Sequence, residues 1–274
     1  MPELPEVETV SKDLSEHLIG ETISDIGIID ARNLRGISPA NFVQQIRGTK
    51  ISNIYRKGKT IIWNLTNNLS IIIHLRMTGK FILTNNNAEL TKHDMIVFKT
   101  KKWDITFNDV RKFATINLTS TNAIEDLNYF KNIGIDPTKS EFTFDNFKYM
   151  LKKGAKKSLK AFLLEQDKIV GIGNIYASEI LFDSKINPER LGYSLSKNEE
   201  IELFSSIKTI ILQAIMMRGT TFSDYRDGFN KKGEFQNQLK VYNKLNENCI
   251  ICKDTINKIK QNGRSTYYCQ TCQK

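Results

Sequence analysis

The chain has 274 residues, 40% of them hydrophobic and 26% charged, and 40 Lys plus Arg against 30 Asp plus Glu give it a formal charge of +10. This composition excludes a disordered or fibrous chain, and no apolar run approaches the ~18 residues of a membrane span, so a globular protein without a membrane partner is expected. The length suggests two domains, the acidic start without an apolar signal core predicts a cytosolic protein, and the positive excess suits a polyanion, although charge alone does not separate that from ordinary solubility.

Charge distribution adds more. Residues 1–20 hold five acids (Glu3, Glu6, Glu8, Asp13, Glu16) and one base, Lys12, whereas residues 231–274 hold nine bases and three acids. An acidic first segment in a basic protein reads as a catalytic element inside a polyanion-binding shell. The first eight residues are Met1-Pro2-Glu3-Leu4-Pro5-Glu6-Val7-Glu8. Met1 precedes a small residue and is expected to be removed, leaving Pro2 with a free secondary amine. Such an amine attacks an aldehyde-like carbon and yields an iminium, a strong electron sink. Glu3, one residue on, can move protons where the amine attacks. The plain alternative is that Pro2 and Pro5 only start a helix.

Val7, Val10, Leu14 and Leu18 mark one face of that helix, and Gly20 is its expected stop. Short β-branched or apolar runs follow: Thr22–Ile29, Lys50–Tyr55, Thr60–Leu65, Ser70–Leu75, Lys80–Leu83, Asp94–Phe98, Trp103–Phe107 and Phe113–Leu118. Polar turns divide them, notably Asn67-Asn68, Asn85-Asn86-Asn87 and Lys101-Lys102, which predicts an antiparallel sandwich or flattened barrel. Lys59 ends a basic turn after Arg56, Lys57 and Gly58 and by itself reads as a solvated surface residue. His74 and His93 read as structural histidines beside strands. Met77, in the turn Arg76-Met77-Thr78-Gly79, is either core or an apolar wedge against stacked bases. Asp109-Val110-Arg111-Lys112-Phe113 suits one base-edge contact and one wedge, or an ordinary strand start.

Residues 122–140 read as a linker punctuated by Gly134 and Pro137. Helical spacing returns at Phe144, Phe147 and Leu151, and again at Leu159, Phe162 and Leu163. Between these lies Lys152-Lys153-Gly154-Ala155-Lys156-Lys157, a solvated loop or a set of phosphate contacts. Gly171-Ile172-Gly173-Asn174 follows a short helix and turn, and a helix beginning near Asn174 would offer free N–H groups to an anion. Ser196 to Met217 is predicted to be a long helix with Ser196 and Glu199 as its capping box. Gly219 to Gly233 is polar, either a lid or a mobile connection.

All four cysteines lie at the end: Cys249-x2-Cys252, sixteen residues, Cys269-x2-Cys272. Two such pairs around a hairpin turning at Asn262-Gly263 predict one tetrahedral zinc, structural because no ligand position stays open. Arg264, at the hairpin turn, faces either phosphate or solvent.

Taken together, these motifs resemble the bacterial formamidopyrimidine-DNA glycosylase family along essentially the whole chain. The resemblance rests on residues 2–8, His74-Leu75-Arg76-Met77, Arg111-Lys112-Phe113, Gly171-Ile172-Gly173-Asn174-Ile175-Tyr176-Ala177-Ser178-Glu179 and the four-cysteine finger. It implies an α+β protein: residues 1–130 as an N-terminal helix and β-sandwich, a linker at 131–143, a helix-two-turn-helix domain at 144–235 with a lesion-covering loop from Thr220 to about Lys232, and a zinc finger at 236–274. It implies excision of oxidised purines from duplex DNA in base excision repair, then strand cleavage at the abasic site. Pro2 would form the Schiff base, Glu3 would handle protons at the sugar, Lys59 would serve β-elimination, and Arg264 would grip phosphates and serve δ-elimination. His74, His93, Arg111, Lys156 and Asn174 would contact DNA. Met77, Arg111 and Phe113 would fill the vacated base stack. Here Val110 and Ala114 stand where the family usually has Pro and Gly, which puts the stiffness of Arg111 in doubt. A monomer bound to damaged double-stranded DNA is expected. The rival readings are an endonuclease VIII-like enzyme for oxidised pyrimidines and a non-enzymatic zinc-ribbon regulator.

Overall fold

The computed structural model describes residues 2–85, 89–222 and 224–274. Met1, and Asn86 and Asn87 of the expected turn, lie outside the described residues. The chain divides into two compact units: residues 1–131 with 217–236, and residues 132–216 with 237–274.

In the first unit, α1 (Leu4–Leu18) follows the 3.6-residue period of its apolar positions. Val7, Val10, Leu14 and Leu18 are all buried and join the sandwich core, each contributing roughly 1.5–3 kcal/mol. Gly20, at φ +88°, takes the left-handed conformation just past the helix end. Among the described residues, strands β1 (Asp25–Ile28), β7 (Asp94–Lys99), β8 (Asp104–Asp109) and β6 (Gly79–Thr84) form one sheet in that order. A second sheet has the order β2 (Leu34–Arg35), β9 (Thr115–Ser120), β5 (Leu69–His74), β4 (Thr60–Leu65), β3 (Ile51–Lys57). Pairing is antiparallel except for β2 beside β9. Trp63 of β4 reaches across to Phe81 and Phe98 of the other sheet, with ring centroids 5.3 Å apart in both cases. The two sheets therefore share one core, the expected sandwich.

Between β1 and β3 the structure adds the two-residue β2 and helix α2 (Pro39–Ile46) to the expected strands. The helix did carry a signal. Ser38 caps it by accepting the Asn41 N–H at 3.3 Å, and Pro39 occupies its first turn. The expected linker holds the short helix α3 (Asn128–Lys131). Segment 217–236, expected with the helical region, belongs to the first unit because its residues bond to α1 and β6.

The second unit contains α4 (Phe144–Lys153), α5 (Leu159–Leu164), α6 (Asn174–Asp183) and α7 (Lys197–Met216). The Ser196–Glu199 capping box forms as expected, with the Ser196 N–H donating to Glu199 Oε2 at 2.7 Å. Between α5 and α6, the Gln166 side chain accepts the Gly171 N–H and donates to the carbonyls of Leu164 and Ile172, each at 2.9 Å. One amide thus satisfies the backbone of the double turn. Hairpin β10 (Ile256–Gln261) and β11 (Arg264–Cys269) turns at Asn262-Gly263, both with positive φ, which fits a type I′ turn. Among the described residues no helix is long and apolar enough to cross a membrane.

Candidate active site

Pro2 is buried and precedes α1, and Glu3 caps the helix in extended conformation. Glu6 is 1% exposed, and its two carboxylate oxygens do different things. Oε2 accepts the Glu3 N–H at 2.7 Å, and Oε1 accepts the Thr220 N–H at 2.7 Å. One buried side chain thus joins the start of the chain to the start of the loop. Gly219, at φ +79°, lies so close that an added Cβ would sit 2.6 Å from Glu6 Oε1.

Lys59, which by its sequence alone reads as a solvated turn residue, is only 6% exposed. The β3–β4 hairpin has only Gly58 and Lys59 in its loop, and Gly58 at φ +60° suits the first position of a type II′ turn. Arg56 fixes that turn from below. Its Nη1 donates to the Gly58 carbonyl at 2.9 Å and its Nε to Glu8 Oε2 at 2.6 Å. The lysine turn is therefore tied to the helix that Pro2 and Glu3 introduce.

Asp109, fully buried, gathers a second group. Thr78 Oγ1 donates to Asp109 Oδ1 and accepts the Arg111 N–H at 3.0 Å. The Asp109 N–H donates to the His93 carbonyl at 3.0 Å. Met77 (38% exposed) and Phe113 (54% exposed) stand on the two turns so joined, and the Arg111 guanidinium lies 5.1 Å from the Phe113 ring centroid. An added Cβ at Gly79 would meet the carbonyl oxygen of Leu75 in its own turn at 2.6 Å and the Ala114 Cβ of the other turn at 3.0 Å, so there is no room for a side chain at this position. Ala114 donates its N–H to Asp109 Oδ2 and accepts from Asn33 Nδ2, both at 2.8 Å. It is not left-handed, so this position does not need glycine. The Arg111 backbone is thus held by Thr78, which Asp109 in turn anchors.

His74 ends β5, half-buried, and its Nδ1 accepts the Arg76 N–H at 3.1 Å. Burial, then the charges of Arg76 and Lys59, lowers its pKa to about 4. At neutral pH it is an uncharged ring with its proton on Nε2, able to offer one hydrogen bond but no charge.

In the second unit, the lysine run is not one loop. Lys152 and Lys153 complete α4, and Lys156 is exposed in the turn after it. Lys157 pairs with Glu165. Asn174 opens α6, and its Nδ2 donates to the Ser265 carbonyl at 2.9 Å, tying the helix start to the strand that Arg264 begins. Its buried Oδ1 has no hydrogen-bond partner. Lys160 was not singled out from sequence. It is 1% exposed, and its Nζ donates to the Asn174 carbonyl at 3.0 Å and Ser178 Oγ at 2.7 Å. A lone lysine among apolar helix positions gave no sign of this. A hollow of about 520 Å³ is lined by Lys157, Ser158, Asn262 and the exposed Arg264 among others.

The ligand atoms of Cys249, Cys252, Cys269 and Cys272 lie within 4.8 Å of one another, with Cys249–Cys272 at 3.7 Å and Cys252–Cys269 at 3.4 Å. Four thiolates at about 2.3 Å from a zinc would stand about 3.8 Å apart, so the set fits the ion. Both knuckles use the same turn: Lys253 N–H donates to the Cys249 carbonyl and Gln273 N–H to the Cys269 carbonyl, each at 3.0 Å. The site holds one structural zinc. When bound it supplies a four-way cross-link, with no position left for a reacting ligand.

Three family models match. They are the formamidopyrimidine-DNA glycosylase N-terminal domain over residues 1–116, the H2TH domain of the same enzymes over 133–226, and the zinc finger found in FPG and IleRS over 246–274. A formamidopyrimidine-DNA glycosylase from Listeria monocytogenes is 38% identical, with both chains covered completely. Two solved structures of the Lactococcus lactis enzyme are 36% identical, each covering 99% of both chains with a TM-score of 0.91. One is bound to DNA containing N7-benzyl-Fapy-dG, the other to DNA containing an abasic site. The chain belongs to the formamidopyrimidine-DNA glycosylase family and is a DNA glycosylase of base excision repair.

Proposed function

We propose that the enzyme excises oxidised purines, 8-oxoguanine and formamidopyrimidines, from duplex DNA and then cleaves the strand at the resulting abasic site. The damaged nucleotide is swung out of the stack, at a cost of a few kcal/mol. Met77, Arg111 and Phe113 occupy the space it leaves, with Arg111 toward the opposite cytosine. With Met1 removed, the Pro2 nitrogen attacks C1′. The glycosidic bond between C1′ and the base breaks, and its electron pair leaves with the base, which takes up a proton. Glu3 serves proton transfer at the sugar as the ring opens to the iminium. Loss of a C2′ proton then expels the 3′ phosphate, in the step Lys59 serves, and a second elimination expels the 5′ phosphate, with Arg264 at the phosphates. His74, His93, Lys156 and Asn174 hold the strand. We further propose the four-part division at 1–130, 131–143, 144–235 and 236–274, in which residues 217–235 of the third part pack with the first unit, and a monomeric enzyme.

One observation supports this reading above the others. The buried Glu6 links the Pro2-Glu3 segment to the loop at Thr220, while Arg56 links the Lys59 turn to the same helix. A nucleophile, a proton carrier and a lysine on one rigid support suit covalent catalysis. The test is borohydride trapping on duplexes carrying 8-oxoguanine or thymine glycol, with wild type, Pro2→Gly and Glu3→Gln. Preferred trapping on 8-oxoguanine that is lost in both variants is expected. Preference for thymine glycol would favour the pyrimidine-directed reading, and no adduct at all would leave a binding protein.

A further inference from the structure

We propose that Arg218 is a positioning residue for base excision. It locks both stems of the 218–233 loop to α1, and through Glu6 it sets the loop against the catalytic end of that helix. The inference rests on the proposed function, in which this loop covers the extruded base.

The anchor is built from charges on three segments. Arg218 Nη2 donates to both oxygens of Asp13 on α1, at 2.9 and 2.6 Å. Its Nη2 and Nε also donate to Asp227 Oδ2, at 2.7 and 3.1 Å. The side chains of Asp13 and Asp227 are only 5% and 1% exposed, so two desolvated carboxylates share one guanidinium. Each carboxylate then holds backbone of the returning stem. Asp13 Oδ2 accepts the Gly228 N–H at 3.0 Å, and Asp227 Oδ1 accepts the N–H groups of Phe229 and Lys231 at 3.0 and 2.8 Å. The Tyr225 hydroxyl donates to the Arg218 carbonyl at 3.0 Å, and the Leu83 N–H on β6 donates to the Gly228 carbonyl at 2.9 Å.

Arg218 itself sits at φ +58°, a conformation unusual for a residue with a side chain, so the surroundings hold it there. The stems are zipped next to it. Phe235 N–H donates to the Gly219 carbonyl at 3.0 Å, and a Cβ on Gly233 would sit 2.2 Å from that oxygen. One residue beyond Gly219, Thr220 N–H meets Glu6, whose other oxygen holds Glu3. Between the clamped stems, Phe222 is 49% exposed and Asp224 is exposed. The stems of the loop are thus clamped, and the clamp lies two residues from the link to Glu3.

A loop that covers the base matters while the base is attached and not once it is gone. Arg218 variants should therefore separate the two chemical steps. In single-turnover assays, Arg218→Met is expected to slow 8-oxoguanine excision by about tenfold or more, since a full 1 Å misplacement can cost about 10²-fold. Cleavage of a preformed abasic site by the same preparation should stay within about twofold. Arg218→Lys keeps the charge but cannot fork between two carboxylates, and should fall between wild type and Arg218→Met. Abasic-site cleavage also measures the folded, competent fraction, so a variant that merely unfolds lowers both rates in parallel. A parallel loss, or no loss in either assay, overturns the proposal. If wild type itself fails to cleave abasic sites, the proposed lyase function has failed instead.

Discussion

Replacing Glu6 by Gln changes one atom in a buried place and should be costly. Glu6 is 1% exposed, and each oxygen accepts one backbone N–H at 2.7 Å, from Glu3 and from Thr220. A carboxylate presents acceptors on both sides. An amide presents one acceptor and one donor, so whichever way it flips, one backbone N–H faces another N–H. A hydrogen bond to a charged group contributes about 1.5–3 kcal/mol, and a buried donor left unpaired costs about 1–3 kcal/mol. Gln keeps one bond in its weaker neutral form, so Glu6→Gln should destabilise by about 2–4 kcal/mol. Urea unfolding of wild type and variant gives this difference from the midpoints, provided the slopes match. Excision should fall with it, because the lost bond either frees Glu3 or releases the loop. A Glu6→Gln protein within about 0.5 kcal/mol of wild type would refute the reasoning, since neither bond could then depend on the second oxygen.

Purified protein should contain one zinc per chain, and Cys252→Ser should lose it. Because the four sulfurs close the finger and leave no reacting position, the variant should lose DNA affinity and second-unit stability while the sandwich keeps its near-ultraviolet tryptophan signal from buried Trp63. His74 should contribute a pH dependence of the opposite kind to a salt-bridged histidine. Its pKa is lowered to about 4 in the folded state by burial and two cations, against about 6.5 unfolded. The unfolded chain therefore takes up the proton first, and stability is complete above about pH 6.5 and declines toward pH 4. His74→Gln should flatten that decline in urea titrations, and ring NMR signals should show His74 neutral at pH 6.

Much of the fold was legible because its signals are local. The spacing of Val7, Val10, Leu14 and Leu18 specifies a helix face, Ser196 and Glu199 a helix start, and Asn262-Gly263 a hairpin. The zinc set was legible for the same reason, since each Cys pair bends its own knuckle. Helix α2 carries its signal locally as well, in the cap Ser38 and the first-turn Pro39. What stayed hidden depends on partners far apart in the chain. Lys59 looks solvated until Arg56 meets Glu8, 48 residues earlier. Arg218 looks like a surface charge until it meets Asp13, 205 residues away. The Asp109 cluster is similar: the residues of the two turns were visible, but a buried carboxylate that binds Thr78, Asn33 and Ala114 together has no sequence period to announce it.

The central claim is that the reacting atom is the Pro2 nitrogen. The most direct measurement is mass spectrometry of the peptides from enzyme trapped by borohydride on an 8-oxoguanine:cytosine duplex. The account predicts that Met1 is absent and that the sugar remnant sits on the Pro2 nitrogen. Retained Met1 in a fully active preparation, or a remnant on Lys59 or any other lysine, would contradict it.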